Sequence, residues 1–175
     1  MDIESIVFGG GCFWCTEAVF KMFRGVISTM PGYAGGTKAN PTYGEVCTGT
    51  TGHAEVLKIE YDPLMVNIDT LLDIFFNMHD PTQINRQGND VGGQYRSVIF
   101  YTTKQQKDAI NKFIDGIRGS FDKPIATQVA KLATFYPAEE HHRLYYDRNR
   151  LQPYCMIVVG PKVSKMKKKY VTLLK

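Results

Sequence analysis

Hydrophobic and polar positions follow two rhythms along this chain. Residues 3–8 form a short, mostly apolar run that stops at Gly9, Gly10 and Gly11, which predicts a buried strand delivered into a tight turn. From 12 to 24 the spacing turns helical, with Ala18, Val19, Met22 and Phe23 on one side. "GVISTMPGYAGG" predicts a second strand, and the loop after it continues through "TKANPTYGEVCTGTTGH", where Pro, Gly and Thr interrupt every periodicity. A loop that long in a compact domain is a candidate wall of a site. Residues 54–62 alternate and are β-rich, a third strand; "NIDTLLDIFFNMHD" is an amphipathic helix closed by Asp80-Pro81. A second glycine-rich loop, "NRQGNDVGGQ", leads into the strand "YRSVIFYT" and a long helix over 103–117. Then come "IATQVAKLATFYP" as a strand or extended segment, a short helix around "EEHHRLYYDRN", and an irregular stretch holding Pro153 and Pro161. In the last helix Val163, Met166, Tyr170, Leu173 and Leu174 recur on one side. Strands and helices interleave without a repeat, an order that suits a mixed α/β or α+β sandwich with one sheet covered by helices.

Composition narrows the class. A chain of 175 residues, 43% hydrophobic and 22% charged, has the make-up of one domain with its own core, spanning 1–175, with a C-terminal tail from about residue 150. The net charge of +4 owes much to six lysines in "KVSKMKKKYVTLLK", which read as the solvated face of the last helix and are assigned no function. No run of about 18 apolar residues occurs, and "MDIESIVFGG" lacks a basic segment leading into an apolar one, so neither a membrane span nor a secretory signal is expected. The cytoplasm is the expected location. In a reducing compartment four cysteines point to catalytic, redox or metal roles rather than structural bridges.

The stretch "GGGCFWCTEAVF" concentrates that chemistry. Structural zinc needs about four ligands, as two close pairs, whereas Cys47 and Cys155 stand alone and the adjacent His141 and His142 cannot share a helix face. A cysteine at the start of a helix, behind a glycine turn, suits a nucleophile better, because free backbone N–H groups and the helix dipole stabilise its thiolate. Cys12 occupies that start; Cys15 lies one turn further in, either reactive or simply packed. The glycines would let the backbone approach a ligand. A thioredoxin-like exchanger also carries two cysteines at this spacing, but there the enclosed residues resemble Gly-Pro, whereas Phe13 and Trp14 suit the lining of an apolar pocket.

"GGCFW", "NPTYGEVCTGTTGHAE" and "QGNDVGGQYRS", in that order and followed by "PYC", resemble the A-type peptide methionine sulfoxide reductases, from Phe8 to about Val163. The fold this resemblance implies is an α+β sandwich: a ferredoxin-like split βαβ core with a mixed sheet, flanking helices and a long coiled C-terminal region. The implied activity is reduction of the S epimer of methionine sulfoxide, free or in proteins, a repair reaction. It implies Cys12 as nucleophile and Glu55 as the acid that protonates the departing oxygen, a role that suits a carboxyl whose pKa is raised in a dry pocket. Tyr43 and Tyr95 match the family's hydrogen-bonding tyrosines, Asp90 the carboxylate that positions the sulfoxide, and Phe13 and Trp14 the aromatic floor for the methyl group. His53 reads as structural.

Cys12 would end its step as a sulfenic acid, which a second thiol converts to a disulfide for an external dithiol such as thioredoxin to reduce. Cys155 matches the family's tail cysteine and is favoured as that thiol; Cys15 is the alternative, because i,i+3 residues near a helix start are neighbours, and the chain departs from many relatives, which carry glycine at that position and a further cysteine after the tail one. The resemblance implies no metal or organic cofactor, no nucleic-acid or membrane partner, and a monomer. The competing readings are a general disulfide exchanger, active on disulfides alone, and a non-enzymatic binding module whose basic tail would give salt-steep nucleic-acid binding.

Overall fold

The computed structural model describes residues 2–175. Six strands form one mixed sheet in the order β7-β6-β1-β3-β2-β8. Its centre is β1 (Glu4–Gly10), antiparallel to both β3 (Ala54–Tyr61) and β6 (Ser97–Tyr101), and β2 (Val26–Ala34) lies antiparallel on β3. With α1 (Phe13–Phe20) joining β1 to β2 and α3 (Ile68–Met78) joining β3 to β6, these elements make the expected split βαβ core. The parallel pair is β6 with β7 (Gln128–Lys131), and β8 (Phe135–Pro137) adds antiparallel to β2.

The consecutive apolar residues Ile6, Val7 and Phe8 of β1 are explained by burial on both faces. Ile6 and Phe8 pack under the helices with Leu57, Ile59 and Ile99, while Val7 turns to the other face with Val56, Val98 and Phe100. The segment read as one extended stretch is two strands on opposite edges of the sheet. Four residue steps from Lys131 to Phe135 reach roughly 14 Å at most, whereas six flat strands would hold the edges about 24 Å apart. The sheet must therefore curl, and Ala130, Leu132 and Phe135 close its second face over Val7, Ala34 and Ala54.

Helix α1 is buried on nearly every side, including Thr16 and Glu17, and ends at Phe20, earlier than its apolar spacing predicts. The long loop after β2 contains α2 (Tyr43–Cys47), opened by a capping box in which Thr42 and Glu45 bond each other's backbone; T-x-x-E was its signal in the sequence. The second glycine-rich loop folds into a hairpin, β4 (Arg86–Gln87) with β5 (Asp90–Val91), and a 3₁₀ turn over Gly93–Tyr95. Helix α4 (Lys104–Ile117) follows its Thr103 cap as expected. Beyond it the chain runs mostly in turns and bends, with a 3₁₀ turn at Glu140–His142 and the short α5 (Tyr145–Arg148).

The stretch holding Pro153 and Pro161 is helical rather than irregular. It starts at Pro153, where a missing N–H costs nothing, passes through a π-turn at Cys155–Val159, and continues as α6 (Gly160–Lys169). Gly160 N–H bonds the Cys155 carbonyl, five residues back, just before Pro161, whose ring would disrupt a regular turn. Val159, Val163, Met166 and Tyr170 are buried, and the lysine face of α6 is exposed apart from half-buried Lys162. Among the described residues no helix is long and apolar enough to cross a membrane.

Candidate active site

The site lies where β1 stops. Gly11 takes a φ of +95°, which a residue with a Cβ resists, and any Cβ there would meet Gln87 at 2.9 Å. A Cβ on Gly9 would meet Val98 at 2.7 Å. The glycines thus answer crowding within the protein, not the approach of a ligand. They turn the chain so that Cys12 becomes the N-cap of α1, its carbonyl accepting from Cys15 N–H (3.1 Å) and Thr16 N–H (3.4 Å).

Glu55, on the neighbouring β3, is 1% exposed. One oxygen accepts from Phe13 N–H at 3.3 Å, and the other is buried without a partner. Burial pushes its carboxyl up to about 8; the Phe13 bond opposes this, and the nearby charges of Asp90 and Cys15 add to it. At neutral pH Glu55 is therefore a buried carboxylic acid with a free end, next in the chain fold to the Cys12 thiol, which feels its charge.

The Cys12 and Cys15 thiols hydrogen-bond each other. Burial, that bond and Glu55 hold Cys12 well above the ordinary thiol range, although Trp14 N–H works against them. Cys15 is brought down to about 7 by the bond from Cys12, overcoming burial, with further help from the Lys162 charge and the Tyr154 hydroxyl. Burial thus works against a thiolate at Cys12, while the partners of Cys15 favour one there. The helix-start argument counted the backbone field at Cys12 but not the long-range partners of Cys15, Lys162 and Tyr154.

Aromatic rings wall the pair. Phe13 packs on Tyr33 (5.8 Å between ring centres), Tyr43 (6.4 Å) and His142 (5.1 Å). Trp14 stacks on Tyr145 at 3.8 Å and 7°, meets Tyr154 edge-on at 5.8 Å, and donates its indole N–H to His142 Nδ1 at 3.1 Å. An indole only donates, so His142 accepts at Nδ1 and carries its proton on Nε2; burial and His141 keep its pKa low. The Tyr43 and Tyr95 hydroxyls are kept neutral first by burial and then by Glu55, and Tyr43 also hydrogen-bonds the Cys47 thiol. Asp90 accepts from Tyr154 O–H at 2.6 Å.

Every site residue predicted from the motifs except Cys155 thus gathers around Cys12 and Glu55. Cys155 is fully buried in the π-turn, its thiol raised by burial and then by the charge of Cys15. It lies in the same apolar cluster as Cys12 and Cys15 but inside a formed helix, not on the loose tail its prolines suggested. His53 is structural: Nδ1 accepts from Gly36 N–H at 3.0 Å and Nε2 meets the Lys38 carbonyl at 2.7 Å. The motif reading missed Glu17, His142, Tyr145, Tyr154 and Lys162. Only the aromatic and histidine content of "EEHHRLYYDRN" and "PYC" hinted at three of these five, His142, Tyr145 and Tyr154, since nothing local pairs them with α1. Among the described residues no three His, Cys, Asp or Glu side chains gather as a metal site would need.

Known proteins resemble this chain in sequence and fold. The family model described as peptide methionine sulfoxide reductase matches residues 4–174. A relative in Nautilia profundicola, named peptide methionine sulfoxide reductase MsrA, is 55% identical over 91% of each chain. Among solved structures, methionine sulfoxide reductase A of Corynebacterium diphtheriae superposes with a TM-score of 0.83 at 38% identity, over 86% of this chain and 76% of that one. Yeast Mxr1 in its reduced form gives 0.83 at 34% over 87% and 89%, and the same protein in complex with Trx2 gives 0.60 at 25% over 81% and 84%. The match spans the sheet, the glycine turn and the segment that walls the cysteines, and on that ground the chain belongs to the peptide methionine sulfoxide reductase family.

Proposed function

We propose that this chain reduces methionine S-sulfoxide, free or in proteins, to methionine by thiol chemistry at Cys12. The observation that carries the reading is the Glu55 carboxyl: buried, protonated at neutral pH, and with one oxygen unpartnered beside a cysteine at a helix start. A thiol attacking the sulfoxide sulfur needs a proton delivered to the oxygen, and Glu55 is a donor held for that. Tyr43 and Tyr95 hold the oxygen by their hydroxyls, Asp90 orients the sulfoxide, and the rings of Phe13 and Trp14 receive the methyl group.

The step balances. As Cys12 sulfur attacks, its proton passes along the hydrogen bond to the Cys15 thiolate, and Glu55 protonates the sulfoxide oxygen. That oxygen ends on Cys12 as sulfenic acid, methionine departs, and two electrons have moved from the Cys12 sulfur to the substrate sulfur. Cys15, now a thiol in contact with Cys12, condenses with the sulfenic acid to a disulfide and water. Cys155, whose thiol feels the charge of Cys15, then exchanges into it, freeing Cys12 and leaving a Cys15–Cys155 disulfide. Thioredoxin is the proposed external reductant, a reading supported by yeast Mxr1 having been solved in complex with Trx2. No step calls on a metal or an organic cofactor.

The test is single-turnover reduction of each epimer of a blocked methionine sulfoxide without external reductant, with free thiols counted afterwards. The expected result is about one methionine per chain from the S epimer alone and two thiols lost. No methionine from either epimer would overturn the reading. Cys155→Ser is expected still to lose two thiols, through Cys12 and Cys15; loss of only one would make Cys155 the direct partner of Cys12.

A further inference from the structure

Glu17 sits in mid-helix on α1, 1% exposed, yet it is neither in the reacting cluster nor paired with a cation through hydrogen bonds. Its two oxygens are spoken for separately. Oε1 accepts from Thr29 O–H at 3.1 Å on β2, and Oε2 accepts from the backbone N–H of Leu144 at 2.8 Å, 127 residues further along the chain.

Leu144 is an unusual residue to grip. Its φ of 51° and ψ of 35° lie in the left-handed region, which a branched apolar side chain resists, so something outside the turn must hold it there. The turn matters for its neighbours: His142, two residues before, bonds the Trp14 indole N–H, and Tyr145, next after it, lies flat on the Trp14 ring. Reversing the chain at Leu144 is what lets both rings meet one indole.

We propose that Glu17 is the positioning residue of the aromatic wall: by holding Leu144 N–H it fixes the left-handed turn that sets His142 and Tyr145 against Trp14, and so shapes the slot for the substrate methyl group. The slot's role rests on the proposed function; the clamp on Trp14 does not. A buried acceptor at this place is an economical device, because α1 carries both ends of the arrangement. Trp14 faces the wall it is clamped by, and Glu17 lies one turn on and pins the segment that does the clamping.

Trp14 is the sole tryptophan of the chain, so its emission reports the clamp directly. Glu17→Ala is expected to shift that emission to the red, make it easier to quench with acrylamide, and raise the KM for a blocked methionine S-sulfoxide about tenfold with a much smaller change in kcat. Glu17→Gln keeps a carbonyl oxygen for Leu144 N–H and is expected to restore emission, quenching and KM. Glu17→Met, which fills the space without an acceptor, reads the same way as Glu17→Ala and replaces it should the smaller side chain prevent folding. In the unmodified protein the Leu144 amide is expected to resist hydrogen exchange. Unchanged emission and KM in Glu17→Ala, failure of Glu17→Gln to rescue, or a freely exchanging Leu144 amide would each overturn the proposal. A protein inactive on sulfoxides, but with the emission changes intact, would sink the proposed function and leave the clamp standing.

Discussion

The floor and the wall of this site are built by different means. The floor, the end of β1, the first turn of α1 and Glu55 on β3, stands on central strands paired on both sides. The wall, Glu139 to Cys155, has 3₁₀ and short helical turns, a left-handed residue and a π-turn. It is held by single side-chain bonds: Trp14 to His142, Leu144 to Glu17, Tyr154 to Asp90, and Tyr33 with the Tyr43 backbone to Glu139. Strand ladders spread their strength over many bonds, whereas each wall contact is one group deep. The proposed reacting groups, Cys12 and Glu55, thus lie on the stiff part, and Cys155, the proposed recycling thiol, lies on the adjustable one.

The largest expected contrast comes from cutting at each region in turn. Cys12→Ser on the floor is expected to abolish methionine formation altogether, while Cys155→Ser in the wall leaves the first turnover intact and stops multiple turnover with a dithiol reductant. Methionine yield per chain, with and without reductant, separates the two; loss of the first turnover in Cys155→Ser would erase the division of labour.

Glu55→Gln comes next, with a single-turnover rate lowered about 10²- to 10⁴-fold for loss of the proton donor. The proposed step needs Glu55 protonated and the Cys12–Cys15 pair ionised. The unmodified protein should therefore gain rate as pH rises through about 7, set by Cys15, and lose it as pH rises through about 8, set by Glu55. In Glu55→Gln the upper limb should vanish, and its persistence would assign that limb to another group.

The smallest effect tests the wall's grip on the floor. Tyr154→Phe removes the bond to Asp90 and a hydroxyl that lowers the Cys15 pKa, so the lower limb of the pH profile should move to higher pH, with a rate loss of only severalfold at neutral pH. An unmoved limb would mean that the wall does not tune the cysteine pair.

How much of this was legible in the sequence depends on the reach of each interaction. The β1 run, the glycine turn, the Asn67 and Thr103 helix starts and the T-x-x-E box rest on residues within a turn of one another, so spacing and residue type suffice to read them. The α2 helix was overlooked although that box announces it, because surrounding Gly, Pro and Thr hid its single apolar anchor, Val46. Pro153 and Pro161 suggested a break, yet one begins the helix and the other follows a π-turn that absorbs it.

The sequence by itself determined the order of strands and helices, the placing of a cysteine at a helix start, and the motif set that places Cys12, Glu55, Tyr43, Asp90 and Tyr95 in a known family's pattern. Tertiary structure alone decided that Glu55 is dry, that Lys162 and Tyr154 bear on Cys15, that Cys155 is buried inside a helix, and that Glu17 bonds a turn 127 residues away. The reason is physical. Propensity and periodicity act between neighbours along the chain, whereas desolvation and charge depend on what folding brings within a few ångströms, and no local pattern records that.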